Sequence, residues 1–294
     1  MPGLILSVAF MPLVTFGGDK VIKMSTTTST QASGLLDMLL PAFAKDIGIK
    51  VKVFAKGTGA AIRDGTDGNV DVIFVHARAR EEAFVAEGYG TKRYEVMHNY
   101  FVILGPPNDP AGIRGMKDAP GALRKIAVAE ARFVSRGDNS GTHTKEIDLW
   151  ATAGVPLVSK TTTLVKKGKK RQLTFKHPKG SGGWYLSIGQ GMGKAITYAD
   201  EKRAYTLADR GTYIKYKFGG KGGPDLEVLC EGDERLYNPY SVIPVNPGKH
   251  PHVKFDLADR FAQWLVSPRG QAVIANYKLL DRQLFYPDAI PDAR

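Results

Sequence analysis

Three turns rich in hydroxyl groups and glycine are the parts of this chain best suited to hold a ligand. They are residues 25–30 (Ser-Thr-Thr-Thr-Ser-Thr), 57–59 (Gly-Thr-Gly) and 135–142 (Ser-Arg-Gly-Asp-Asn-Ser-Gly-Thr). Each stands where the sequence pattern predicts a helix to begin, and a helix start offers free N–H groups and the positive end of the helix dipole. Such turns are suited to an anion, although capping is the favoured interpretation for residues 25–30 taken alone.

Arg136, inside the third turn, adds a permanent positive charge and a planar fork of donors. The carboxyl ends of parallel strands meet at one edge of a sheet, so the three turns predict one converging set of donors. Residues 57–62 lack the third glycine of a dinucleotide fingerprint, and the chain contains no Walker-type phosphate loop. The sequence therefore predicts a site for a small anion and not for a nucleotide.

Groups that could carry catalysis are sparse. The six histidines contain no His-x-x-x-His pair, and the single cysteine, Cys230, excludes an intrachain disulfide and zinc sites built on paired cysteines. His143 or Asp138 could act as the base of a phosphate-ester enzyme. Asp138 is more simply explained as a partner of Arg136 or of the N–H groups of the turn. We therefore expect no catalytic residue, metal or cofactor, and favour a binding protein over an enzyme.

Charge is concentrated in one segment. Eight basic residues and no acid lie between residues 160 and 179, and without them the net charge of +12 falls to about +4. Two short strands, 161–165 and 172–176, are predicted to form a basic hairpin, an insertion near residues 155–182. A solvated hairpin is the favoured interpretation, and contact with a partner or with anionic lipid is the alternative.

Strands and helices alternate around these turns. Strands are predicted at 21–24, 51–55, 70–75, 96–104, 125–129, 225–230 and 240–245. Helices are predicted at 34–44, 57–62, 81–87, 139–153, 191–202, 253–266 and 271–277, and Thr206 is a candidate cap of a short helix. The alternation is typical of doubly wound parallel α/β sheets, and the length of 294 residues suggests two such units.

The N-terminal residues are apolar without a preceding basic residue. Residues 4–16 have the composition of a signal-peptide core but are short for a membrane span. We expect residues 1–19 to be an export signal, with a buried first strand as the alternative.

Several motifs together resemble one known family, the tungstate-binding subfamily of periplasmic solute-binding proteins. They are the three turns, Gly-Leu-Leu-Asp at 34–37, Val75-His76, Phe-Val at 133–134 and His143 around the third turn, Trp184-Tyr185, Gly-Gln-Gly-Met-Gly at 189–193, and the segments 205–212, 238–243, 245–247 and 285–288. The resemblance spans about residues 20–294. The third turn also occurs in phosphate-binding relatives, so the Thr-rich run and the Gly-Gln-Gly-Met-Gly segment favour the narrower family.

The resemblance implies an α/β fold of the two-lobed periplasmic-binding-protein type II. Each lobe would be a mostly parallel sheet flanked by helices. Two interlobe strands, near 99–104 and 240–245, would join lobe 1 (20–102 plus 241–294) to lobe 2 (103–240).

It also implies the ligand and the residues that hold it. The ligand would be tungstate, or molybdate, delivered to the permease of an ABC importer by an exported, periplasmic monomer that binds no nucleic acid. The implied ligand-binding residues are Thr27, Thr28, Ser29, Thr58, Gly59, Arg136, Ser140, Gly141 and Thr142, with His76, Asp138 and Gln190 as weaker candidates.

Two other functions stay open from the residues alone. One is binding of a phosphate- or sulfate-type oxyanion. The other is binding of an anionic surface or nucleic acid through the basic hairpin, which would be strongly salt-dependent.

Overall fold

The computed structural model describes residues 20–166, 169–220 and 222–289. Its strands are β1 Val21–Thr27, β2 Lys50–Lys56, β3 Val72–Val75, β4 Tyr94–Gly105, β5 Phe133–Ser135, β6 Leu157–Lys166, β7 Lys169–Pro178, β8 Tyr185–Ser187, β9 Tyr205–Asp209, β10 Glu227–Cys230, β11 Tyr237–Pro244, β12 Lys278–Leu279, β13 Arg282–Gln283 and β14 Tyr286–Pro287. Its helices are α1 Thr28–Ser33, α2 Leu35–Ile47, α3 Thr58–Thr66, α4 Arg78–Ala86, α5 Ala119–Val128, α6 Gly141–Thr152, α7 Met192–Glu201, α8 Arg210–Phe218, α9 Phe255–Leu265 and α10 Pro268–Ala275.

One ten-stranded sheet organises the fold in the order β2-β1-β3-β11-β4-β9-β5-β8, and β10 and β14 also pair with β4. Strand β4 changes partners along its length. Its residues 94–100 pair with β11, and its residues 101–105 pair with β9 or β10. We call β2, β1, β3 and β11 the first half-sheet, and β9, β5, β8 and β10 the second half-sheet. In the first half-sheet β1 pairs parallel with β2 and β3, and β3 pairs antiparallel with β11. In the second, β5 pairs parallel with β8 and β9, and β9 pairs antiparallel with β4.

The strands that carry the predicted turns are short and buried. All four residues of β3 (Val-Ile-Phe-Val) and all three of β5 (Phe-Val-Ser) are buried, as expected for central strands covered on both faces. Helix α2 packs its apolar face on the first half-sheet, where Phe43 meets Phe261 of α9 edge-on with ring centroids 4.8 Å apart. Trp150 of α6 anchors the core of the second half-sheet against Phe133.

Two sequence predictions about local structure are wrong. The apolar run at 125–129 predicts a strand, but these residues are the end of α5 and the residue that follows it. The helix buries residues with helical spacing, Ala119, Ala122, Leu123 and Ile126, and tertiary packing of that face outweighs the short apolar run. Thr206 caps no helix: it lies within β9, and its hydroxyl donates to the carbonyl of Val134 at 2.8 Å.

The predicted hairpin is confirmed. Strands β6 and β7 pair antiparallel in continuous register from Leu157 opposite Pro178 to Lys166 opposite Lys169. The proposed export segment, residues 1–19, lies outside the described residues. Within the described ranges, none of the helices has the length and apolar character needed to cross a membrane.

Candidate functional site

The first turn lies where β1 ends and α1 begins. Thr27 is the N-cap of α1, and its hydroxyl accepts the N–H of Thr30 at 3.2 Å. The Thr27 hydroxyl also lies 3.0 Å from that of Ser29 and 2.7 Å from that of Thr30. The capping interpretation of this run is therefore correct for Thr27. It does not exclude a ligand role, because a hydroxyl has a proton to donate and two lone pairs.

The second turn begins α3, directly after β2. Gly57 is the N-cap, Thr58 is buried, and Gly59 is half-buried. The hydroxyl of Thr58 accepts the N–H of Gly141 at 3.3 Å. This bond joins the first half-sheet's loops to α6, which follows a strand of the second half-sheet.

The third turn connects β5 to α6. Ser140 caps α6 by accepting the N–H of His143 at 3.3 Å. Gly137 has a φ of 57°, which favours glycine, and a side chain there would collide with the Ser187 hydroxyl. The turn can follow this path because residue 137 has no side chain.

Arg136 carries the positive charge of the third turn, and only 6% of its surface is exposed. Its Nη2 donates to Asp138 Oδ2 at 2.6 Å, and its Nη1 donates to the Thr142 hydroxyl at 3.3 Å. Among the described residues, Nε of Arg136 has no hydrogen-bond partner. A buried cationic donor without a partner is costly, so it marks a position where an acceptor would stabilise the protein.

Asp138 uses both of its oxygens inside the turn. Oδ2 accepts from Arg136, and Oδ1 accepts the N–H of Ser140 at 3.2 Å. The carboxylate therefore orients Arg136 and provides a hydrogen-bond acceptor for an N–H of the turn. This is the simpler of the two interpretations of Asp138 that the sequence allows.

His76 follows β3 and faces the first turn. Its Nε2 lies 3.2 Å from the hydroxyls of both Thr27 and Ser29, and its Nδ1 lies 3.0 Å from Asn238 Oδ1. Its ring stacks on Tyr240 with centroids 4.5 Å apart. Burial, reinforced by the charge of Arg136 and opposed by the bond to Asn238, lowers the pKa of His76 to about 4, so the ring is neutral at pH 7.

The three turns converge at the junction of the two half-sheets. We call the residues that meet there the donor cluster: Thr27, Ser29, Thr58, Arg136, Ser140, Gly141 and Thr142. A β-carbon added to Gly141 would lie 3.4 Å from the carbonyl oxygen of His76, which shows how closely α6 approaches the first half-sheet. Thr28 and Gln190 differ from the cluster because both residues are exposed. Gln190 contributes its backbone N–H, which donates to the carbonyl of Arg136 at 3.1 Å.

Sequence reasoning missed two residues at this junction. Arg80 of α4 donates to the carbonyl of Asn139 at 3.4 Å and to the hydroxyl of Thr144 at 3.2 Å, so it ties the first half-sheet's helix to the third turn. Asn238 holds His76 from β11. Nothing in the local sequence of Arg80 marks it, whereas Asn238 lies in a segment that carried the family resemblance.

The chemistry of the donor cluster is that of an anion site. It offers hydroxyls, helix-start N–H groups and one guanidinium, and its nearest carboxylate, that of Asp138, is already paired with donors. In the part of the chain that the structure describes, no group of three or more His, Cys, Asp or Glu side chains is placed to hold a metal ion.

The fold and this site define a solute-binding protein of the periplasmic-binding-protein class. Residues 15–269 match the family described as PBP superfamily domain. The tungstate-binding protein TupA of Peptoclostridium acidaminophilum is 43% identical over 272 residues, which cover 91% of this chain and 86% of that protein.

Two solved structures are similar to this chain in both sequence and fold. The tungstate-binding protein TupA from Desulfovibrio alaskensis G20 is 47% identical, with a TM-score of 0.77 over 92% of this chain and 99% of that one. The tungstate ABC transporter structure from Geobacter sulfurreducens is 50% identical, with a TM-score of 0.73 over 88% of this chain and 99% of that one. The chain belongs to the TupA-like family of solute-binding proteins, and the expected α/β fold class is confirmed.

Proposed function

We propose that this protein binds tungstate at the donor cluster and delivers it to an ABC importer. The observation that carries the proposal is Arg136, a buried guanidinium whose Nε is unpaired within the described residues and which lies among hydroxyl and N–H donors. The names of the relatives in P. acidaminophilum, D. alaskensis and G. sulfurreducens support tungstate as the anion.

The donor set favours an anion that carries no proton. Tungstate at neutral pH is a dianion that offers acceptors only, so every contact requires a donor. Hydrogenphosphate keeps a proton and gains from a carboxylate acceptor. Arg136 and Ser140 already donate to the two oxygens of Asp138, so that carboxylate is a weaker acceptor for the proton of hydrogenphosphate. Molybdate shares the charge and shape of tungstate, and the proposal includes it as a ligand.

The proposed ligand contacts come from both half-sheets. Thr27, Thr28, Ser29, Thr58 and Gly59 would bind from one side, and Arg136, Ser140, Gly141 and Thr142 from the other, with His76, Asp138 and Gln190 in supporting positions. Charge-assisted hydrogen bonds contribute roughly 1.5–3 kcal/mol each. About seven of them would offset the desolvation of a dianion and approach the ~12 kcal/mol of nanomolar binding.

We further propose that the two half-sheets correspond to two lobes, residues 20–102 with 241–294 and residues 103–240. The change of partners along β4 supports a hinge there, because one strand serves both half-sheets. Opening at this hinge would separate the Gly141–Thr58 and Arg80–Thr144 contacts and admit the anion. Export as a monomer and docking to a permease complete the proposal.

Thermal unfolding in the presence of single oxyanions tests the proposal. A ligand at 100 times its Kd stabilises the folded state by about 2.7 kcal/mol, which raises Tm by roughly 5–10 °C for a chain of this size. We expect that rise with tungstate and with molybdate, and little change with equal concentrations of sulfate or phosphate. No shift with any of the four would refute oxyanion binding.

A further inference from the structure

A chain of hydrogen bonds links His76 to the opposite half-sheet. His76 Nδ1 lies 3.0 Å from Asn238 Oδ1, Asn238 Nδ2 lies 2.7 Å from Asn99 Oδ1, and Asn99 Nδ2 lies 2.5 Å from Asp209 Oδ2. All four side chains are buried. The chain runs from the end of β3, through β11 and β4, to the end of β9, so it crosses the junction directly behind the donor cluster.

The acceptor at the far end sets the direction of every bond in this chain. Burial raises the pKa of Asp209, but its carboxylate caps α8 by accepting the backbone N–H of Thr212 at 2.9 Å and the Thr212 hydroxyl at 3.3 Å, and these bonds favour the ionised form. Asn99 therefore donates its amide to Asp209 and accepts from Asn238, and the Asn238 oxygen accepts from His76. Nδ1 of His76 thus carries the proton, and in the neutral ring Nε2 is left as an acceptor.

That tautomer competes with an anion. The Thr27 and Ser29 hydroxyls both lie 3.2 Å from Nε2, whose single lone pair accepts the proton of one of them when no ligand is bound. An oxyanion needs that proton, because it can only accept hydrogen bonds.

We propose that His76 is a positioning residue that takes up one proton from solvent as the oxyanion binds. In the bound state Nε2–H donates to one of the two hydroxyl oxygens, and the protons of Thr27 and Ser29 are free to turn to the anion. No covalent bond changes: one proton leaves bulk water or buffer and stays on Nε2 until the anion leaves. The inference rests on the oxyanion-binding function proposed above.

The charges that face His76 support this exchange. Burial and the cation of Arg136 keep the ring neutral in the empty site, where its pKa is about 4. A bound dianion would add two negative charges against the one positive charge of Arg136 and raise the pKa. Tyr240, stacked on the ring, has its pKa raised well above its ordinary value and stays neutral. The cavity beside His76 is lined by three basic residues, Arg78, Arg80 and Lys145, and by three acidic ones, Glu82, Asp148 and Glu234, so these charges offset one another.

Besides Asp138, the titratable groups Glu146 and His143 lie near the third turn and define the control. Burial raises the pKa of Glu146 to about 7, and burial lowers that of His143 to about 4. Glu146 accepts from Tyr185 at 2.7 Å and from Trp150 at 3.2 Å, which belong to the core of the second half-sheet, and among the described residues no hydrogen bond joins it to the first turn. A bound anion would also favour protonation of Glu146, so Glu146→Gln measures how much of the proton uptake on binding comes from that residue.

Calorimetric titration of the protein with tungstate between pH 6 and 8, in buffers of different ionisation enthalpy, tests the inference. Wild type should take up close to one proton at pH 6 and less at pH 8, with affinity falling by up to tenfold per pH unit. His76→Gln, whose amide supplies a permanent donor, should take up none. Glu146→Gln should retain the uptake. Tungstate binding without proton uptake, or with uptake that survives in His76→Gln, would overturn the inference and leave the proposed function standing.

Nitrogen-15 NMR of histidine-labelled wild type tests the same point without a variant in the site. Anion-free protein should show the Nδ1–H tautomer for His76, and tungstate should convert it to the doubly protonated ring. Asn238→Leu, which removes the acceptor of Nδ1–H, should lose the fixed tautomer. An Nε2–H tautomer in anion-free wild type would contradict the direction of the hydrogen-bond chain, whether or not tungstate binds.

Discussion

The substitution Gly141→Ala should weaken tungstate binding more than it lowers the free energy of unfolding of the anion-free protein. Gly141 begins α6, and its N–H donates to Thr58 across the junction at 3.3 Å. A β-carbon there would lie 3.3 Å from the Thr58 hydroxyl, 3.4 Å from the His76 carbonyl oxygen and 3.5 Å from His76 Cε1. All three atoms belong to residues that follow β2 or β3 of the first half-sheet, so the strain is relieved by moving the two half-sheets apart.

The expected loss follows from these distances. A displacement of a few tenths of an ångström breaks the Gly141–Thr58 bond, which is already long, and weakens ligand contacts that need donors from both sides. Two hydrogen bonds at about 1 kcal/mol each give about 2 kcal/mol, or a Kd for tungstate roughly 30-fold higher. The anion-free protein also loses the Gly141–Thr58 bond, so its free energy of unfolding should fall by no more than about 1 kcal/mol.

Titration calorimetry with tungstate and urea unfolding of the anion-free protein measure these two quantities. Gly182→Ala is the matched control, because a β-carbon there has no neighbour within 4 Å, and it should leave both quantities unchanged. A Kd for Gly141→Ala within threefold of wild type would refute the claim that tungstate binding depends on the close approach of the two half-sheets at Gly141. A loss of stability as large as the loss of binding free energy would refute the relief of the strain by separation of the half-sheets.

Three further predictions follow from single side chains. Arg136→Ala should weaken tungstate binding at least 100-fold in calorimetry, since it removes the buried guanidinium, and a near-normal Kd would take Arg136 out of the site. Burial raises the pKa of Glu146 to about 7 from an ordinary 4.5, so the folded state binds the extra proton and stability falls as pH rises from 4.5 to 7, by about 3 kcal/mol. Glu146→Gln should remove most of that fall in urea unfolding at pH 5 and pH 8, and an unchanged fall would assign it to other groups. Trp150→Ala, at a fully buried position, should lower the free energy of unfolding by about 3–5 kcal/mol, and a loss under 1 kcal/mol would contradict the packing around it.

Most of the fold could be predicted from the sequence because apolar residues recur at regular spacing along its long helices. Residues 34–44 and 253–266 place apolar side chains at helical spacing, and the structure has α2 and α9 there. Short elements carried weaker signals. The run at 125–129 is compatible with a strand until the packed face of α5 is known, and β9 is only five residues long.

The candidate site divides in the same way. The three turns could be found in the sequence because each combines hydroxyls or glycine with a helix start. The contacts between them could not, since Arg80 and Asn99 are separated by many residues from their partners Thr144 and Asp209. Their roles arise only when β4 and α4 bring distant segments to one junction.

Titration calorimetry of the purified protein with tungstate, followed by molybdate, sulfate and phosphate, is the most direct test of the proposed function. One-to-one binding of tungstate with nanomolar affinity, together with weak or absent binding of sulfate and phosphate, is the expected result. Absence of heat with all four oxyanions, with no displacement of one by another, would contradict an oxyanion site at the junction of the two half-sheets.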